Sequence, residues 1–124
     1  MARLSAPPLA LLVLALLAFR LASLAFVTQP GYTDSYYYAN VAGSLARGEG
    51  LSADFLWNPL EAGAPGELPV PSHRFWVPLA SVIGAAGLWA FGPLLGDFRG
   101  TQLPFVALGA LTVSYTHLTL PTKA

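Results

Sequence analysis

The residues of this 124-residue chain that could do chemistry are few, and most lie between positions 28 and 74. That stretch holds Asp34, Glu49, Asp54, Glu61 and Glu67 against Arg47 and Arg74, with His73 beside Arg74. Asp34 stands in Thr33-Asp34-Ser35-Tyr36-Tyr37-Tyr38, at the start of a helical pattern, where Thr33 or Asp34 suits an N-cap. A carboxylate fixed by cap geometry can serve as a general base, or can simply cap. Tyr36 to Tyr38 can line a ligand groove or form an interfacial aromatic belt. His73 and Arg74 can contact an anion, since guanidinium pairs well with phosphate oxygens, or can mark a membrane boundary. Glu49, Asp54, Glu61 and Glu67 read as solvated loop charges. One histidine in the loop and scattered acids assemble no metal cluster, so no cofactor is predicted, and the need for a divalent metal is left open. The absence of cysteine excludes disulfide scaffolds, thiolate zinc sites and cysteine nucleophiles.

These residues must be positioned by unusually apolar surroundings. The chain is 55% hydrophobic and 10% charged, against about 25% charged in an average soluble domain. Six basic and six acidic residues balance, which argues against a nucleic-acid binder and against an acidic disordered tail. Residues 4–27 contain one charge, Arg20, and residues 75–96 contain none. Two apolar runs of about 20 residues around a polar segment predict two membrane-spanning helices and a loop.

The expected fold class is therefore all-α and integral to a membrane. Residues 1–8 form a cytoplasmic N-terminus and 9–27 the first spanning helix. Residues 28–74 form an extracytoplasmic loop. Within it, Tyr37, Tyr38, Val41, Ala42 and Leu45 share one face of a short amphipathic helix over about 34–47, expected to lie flat on the membrane interface. Arg47 followed by Gly48 suits its C-terminus. Residues 75–95 form the second spanning helix, whose Ser81, Gly84, Ala85, Ala86 and Gly87 allow close helix packing. A cytoplasmic connection (96–102) leads to the start of a third helix (103–112). Few Lys or Arg in the loop place it outside under the positive-inside rule. Arg20 either snorkels to an interface or faces the bundle. A signal peptide cleaved near Ser23-Leu24-Ala25 is the rival reading of the first run.

Residues 113–124 change character. Val113-Ser114-Tyr115-Thr116-His117-Leu118-Thr119-Leu120-Pro121-Thr122 resembles the translation of a transposase adapter used in sequencing libraries. The codons GTC TCT TAT ACA CAT CTG ACG CTG CCG ACG give those residues in order. The expectation is a truncated reading frame, so His117 and Lys123 carry no functional argument.

The order of motifs carries a family resemblance. An N-terminal apolar helix is followed by Gly31-Tyr32-Thr33-Asp34-Ser35-Tyr36-Tyr37-Tyr38 and by Ala-x-x-Leu-x-x-Gly-x-Gly-Leu ending at Leu51. His73-Arg74-Phe75-Trp76-Val77-Pro78-Leu79 then opens a further helix. This arrangement resembles the N-terminus of a GT-C membrane glycosyltransferase, in the branch of protein mannosyltransferases and aminoarabinose or hexose transferases. The resemblance implies a bacterial inner-membrane enzyme that takes a sugar from a polyprenyl-phosphate donor to an extracytoplasmic lipid, glycan or protein acceptor. It implies Asp34 as catalytic general base, with Tyr36, Tyr37, His73 and Arg74 binding substrate. Many relatives carry a second acid after the aspartate. Ser35 stands there in this chain, which leaves Asp34 to act alone. As a fragment of such a parent enzyme, the chain is expected to be inactive by itself. The alternatives are a small non-enzymatic membrane protein packing against partner helices, and a signal peptide with a secreted segment.

Overall fold

The computed structural model describes residues 6–56 and 67–119. Residues 1–5 of the expected N-terminal segment, the 57–66 part of the loop with Glu61, and 120–124 of the tail lie outside the described residues. Four helices and one small ladder follow in order: α1 (Ala6–Leu24), α2 (Thr33–Ala46), β1 (Ser52–Ala53), β2 (Val70–Pro71), α3 (Leu79–Leu95) and α4 (Asp97–Thr119).

The expectation of an integral-membrane fold is overturned. Among the described residues, no helix is long and apolar enough to cross a membrane. The first helix is shifted against its expected span, and the second is shorter than its apolar run. Ala25 to Val27 fall outside α1, which closes in a turn as Ala25 and Phe26 donate to the carbonyls of Ala22 and Ser23 at 3.1 Å. Phe75 to Pro78 fall outside α3, which begins only at Leu79 and has 17 residues. At 1.5 Å per residue such a helix reaches about 26 Å, short of the roughly 30 Å hydrocarbon layer. The 23 residues of α4 are enough in number, but Asp97, Arg99, Thr101 and Gln102 make its first half polar.

Nor does α2 present its apolar face to a lipid interface. Tyr37, Val41 and Ala42 are buried. Tyr37 and Val41 form the core with Ala53 of β1 and Val70 of β2, and Tyr38 and Phe55 pack against it. The antiparallel ladder pairs Ser52 with Pro71 and Ala53 with Val70, so both ends of the intervening segment meet under α2. Two strands in an expected all-α chain are a second departure. Two-residue strands are too short to show alternation in sequence.

The ends of α2 follow from local chemistry. Its N-cap is Tyr32, in extended conformation and without a side-chain cap bond. The expected cap by Thr33 or Asp34 is thus replaced by a first-turn position, where Asp34 still favours the helix dipole. Arg47 is the C-cap. Gly48 follows at φ 81°, the left-handed conformation that lets Gly48 and Glu49 donate back to Leu45 and Ser44 at 3.1 and 2.9 Å.

Small residues set the approach of α3 to α4. A Cβ on Gly87 would lie 2.5 Å from the Gly100 carbonyl oxygen and 2.6 Å from the Pro104 ring. A Cβ on Gly100 would lie 2.9 Å from the Gly92 nitrogen. The expected 96–102 connection contracts to the single break at Gly96 (φ 82°), and α4 starts at Asp97 rather than near 103. It runs on through 113–119, the adapter-like stretch. α1 packs on α4, with the Arg20 guanidinium over Gly109: a Cβ there would meet Nη1 at 3.1 Å. Arg99 of α4 donates to the Ala25 carbonyl at 2.8 Å.

Candidate functional site

The first turn of α2 and the entry to α3 come together around Tyr37. Asp34, Tyr37, Tyr38 and Trp76 line one small void of about 10 Å³. This follows from helical spacing, since Asp34, Tyr37 and Tyr38 lie at i, i+3 and i+4 and so share a face. Asp34 is exposed, while Tyr37 is 2% exposed. Phe75, Trp76 and Val77 form an exposed apolar strip next to the void.

His73 closes the arrangement. Its backbone has φ 60°, the left-handed region that a side chain with a Cβ seldom adopts. Three contacts hold it there. The His73 backbone N–H donates to the Tyr37 hydroxyl at 2.6 Å. The ring places Nδ1 3.2 Å from the Trp76 carbonyl oxygen and Nε2 2.9 Å from the Ser81 hydroxyl. The imidazole also stacks on Tyr38 (5.9 Å between centroids, 25° between planes) and meets Tyr37 edge-on at 5.2 Å.

The sequence-predicted residues therefore divide. Asp34, Tyr37 and His73 converge, with Arg74 next to His73 and exposed. Tyr37 enters the core rather than an open groove, and its hydroxyl is engaged by backbone. Both ring nitrogens of His73 are likewise engaged within the chain. Tyr36 turns away. It lines a separate open groove of about 670 Å³ between α2, α3 and α4, with Asn40, Arg47, Trp89, Asp97 and Phe98.

Two residues of the site, Trp76 and Ser81, were not singled out in the sequence as site residues, and Tyr38 entered only as part of the aromatic run. Tyr38 could have been found one helical turn beyond Asp34. Trp76 reads as an interfacial aromatic, and Ser81 as a small packing residue. Ser81 is fully buried and donates to the Tyr38 carbonyl at 3.2 Å, tying α3 to α2.

Two loop acids are paired rather than merely solvated. The Arg47 guanidinium grips Glu49 through two parallel bonds, Nε to Oε1 at 3.0 Å and Nη2 to Oε2 at 2.7 Å. The hydrogen-bonded guanidinium holds the Glu49 carboxyl below its ordinary range. Asp54 lies 3.7 Å from Arg47, accepts from the Asn40 side chain at 3.1 Å, and donates its backbone N–H to Asn40 Oδ1 at 3.0 Å. Among the described residues, no group of three or more His, Cys, Asp or Glu could hold a metal ion.

No family model matches this chain, and neither a curated protein nor a solved structure matches it.

Proposed function

We propose that this chain carries the donor-side part of a glycosyltransferase that moves a sugar from a polyprenyl-phosphate carrier to an acceptor hydroxyl, with Asp34 as general base. The observation that supports this best is that Asp34 and Trp76 line the same void. The two motifs on which the resemblance rests, the aspartate-aromatic helix and the His73-to-Leu79 entry, thus meet in space. In the reaction Asp34 takes the acceptor's hydroxyl proton as the acceptor oxygen attacks the anomeric carbon. The bond from that carbon to the phosphate oxygen breaks, and polyprenyl phosphate leaves with the electron pair. Arg74 is the cation at hand for that phosphate. The exposed strip of Phe75, Trp76 and Val77 offers an apolar rest for the isoprenoid chain beside Asp34.

A helix-packing protein without chemistry is the weaker reading. Ser81, Gly84, Ala85 and Gly87 are already buried, with Gly84 and Gly87 against α2 and α4 of the same chain. That leaves little of the small-residue face for a partner.

The test is expression of the gene from its source DNA, as wild type and as Asp34→Asn, with radiolabelled polyprenyl-phosphate hexoses as donors. Wild type should release label to acceptor, and the variant should lose about 10²–10⁴-fold of that rate. Equal rates remove Asp34 from the role. No transfer from any such donor removes the reading itself.

A further inference from the structure

The open groove of about 670 Å³ between α2, α3 and α4 takes in neither Asp34 nor Trp76, so it stands apart from the sugar-transfer reading. Its volume falls within the about 300–1,000 Å³ of ordinary small-molecule sites. Ala39, Gly43 and Gly92 line it and put little or no side chain into the space. Each helix also contributes one aromatic ring: Tyr36 from α2, Trp89 from α3 and Phe98 from α4. Tyr36 and Trp89 are exposed, Trp89 by 79%. Aromatic faces carry negative charge density and attract cations.

The charges around the groove favour the same sign of ligand. Asp97 lines it and, among the described residues, has no ion pair and no side-chain hydrogen bond. Its charge suits the first turn of α4, a role that does not occupy the carboxylate. Arg47 also lines the groove, but Glu49 grips it through two parallel bonds and Asp54 lies 3.7 Å away. The guanidinium is held above its ordinary value first by its hydrogen bond to Glu49, with the charges of Asp54 and Asp97 also acting on it. Three carboxylates around one guanidinium leave two negative charges over. Arg99, two residues past Asp97, donates instead to the Ala25 carbonyl at 2.8 Å.

We propose that this groove binds the quaternary ammonium ion of a water-soluble small molecule, choline being the simplest probe. Such an ion is charged but has no N–H to donate, so ring faces suit it better than a set of polar acceptors. The polar side chains of the lining are largely spoken for. Asn40 is bonded to Asp54, Arg47 to Glu49, and Thr101 to the Phe98 carbonyl. A primary ammonium, with three donors to satisfy, finds few acceptors there. An anion meets the surplus negative charge. A neutral apolar guest leaves the Asp97 carboxylate without a partner beside it.

Equilibrium dialysis of radiolabelled choline against the full chain tests this, with unlabelled choline and dimethylbutanol as competitors. Dimethylbutanol has choline's shape, with carbon in place of the charged nitrogen. Binding should be saturable, and the alcohol should need a concentration about 2- to 30-fold above that of choline to displace the label. Asp97→Asn and Trp89→Leu should each weaken binding by about 2-fold or more. Both side chains are exposed, and the wild-type competition decides the matter even where a variant does not fold. Equal displacement by the two competitors would mean a groove indifferent to charge and overturns the proposal. So does label that is not retained, or that both variants retain as wild type does.

Discussion

The hydroxyl of Tyr37 accepts the backbone N–H of His73 at 2.6 Å, joining residues 36 positions apart. This bond fastens the entry of α3 to the buried ring at the centre of the core. Tyr37→Phe keeps the ring and deletes the acceptor. The part-buried N–H then lacks this partner, and such a loss costs about 1–3 kcal/mol. Urea unfolding should show that drop in stability with an unchanged m-value. A variant as stable as wild type would mean that the bond contributes nothing.

The glycines give a paired test of packing. Gly87→Ala forces a methyl to within 2.5 Å of the Gly100 oxygen and 2.6 Å of the Pro104 ring, so α3 and α4 must separate. Overpacking of this kind costs about 1–3 kcal/mol. A Cβ on Gly31 meets nothing within 4 Å, and its φ is not positive. Gly31→Ala should leave stability unchanged or raise it by about 0.4–1 kcal/mol through the unfolded chain. Thermal melts of the two variants should move in these different ways. Equal shifts would show that the α3–α4 approach is not as close as described.

Asp34→Asn should separate chemistry from folding. The side chain is exposed, and its structural role is the favourable charge in the first turn of α2. Losing that charge costs at most about 1 kcal/mol. A variant that melts near wild type yet has lost sugar transfer would place the effect at the reaction. A grossly unfolded variant would instead make Asp34 a structural residue.

Acid should open the Arg47–Glu49 pair. Glu49 sits below its ordinary value of 4.5 because Arg47 hydrogen-bonds its carboxylate. Its contribution to stability is therefore present above 4.5 and is lost as pH falls through the lowered value of the folded chain. Carboxyl ¹³C titration should find Glu49 below 4.5, and Arg47→Gln should return it toward 4.5. High salt should weaken the effect, since the pair is about half exposed. A midpoint unmoved by Arg47→Gln would contradict the pairing.

Helices were legible in the sequence because Gly and Pro punctuate long apolar runs. Pro78 and Gly96 bound α3, and Gly48 follows the end of α2. What the runs did not reveal was where each helix stops inside them. Phe75 to Pro78 are apolar but lie outside α3, and counting them made that span four residues too long, while α1 begins and ends three residues earlier than the run suggested. The site was legible only in part, for a geometric reason. Tyr36 and Tyr37 are adjacent in sequence, but successive helical residues point about 100° apart. One therefore lines the open groove while the other enters the core. The bonds from His73 to Tyr37 and Ser81 join distant segments and leave no local periodicity to read.

The pairing of Ser52 with Pro71 and Ala53 with Val70 has an engineering consequence. It works as a clasp, fixing both ends of the segment between β1 and β2 independently of that segment's length. The ladder is thus a second tie between the ends of α2 and α3, one that does not run along the covalent chain, so a break in the backbone between β1 and β2 would still leave the two helices joined.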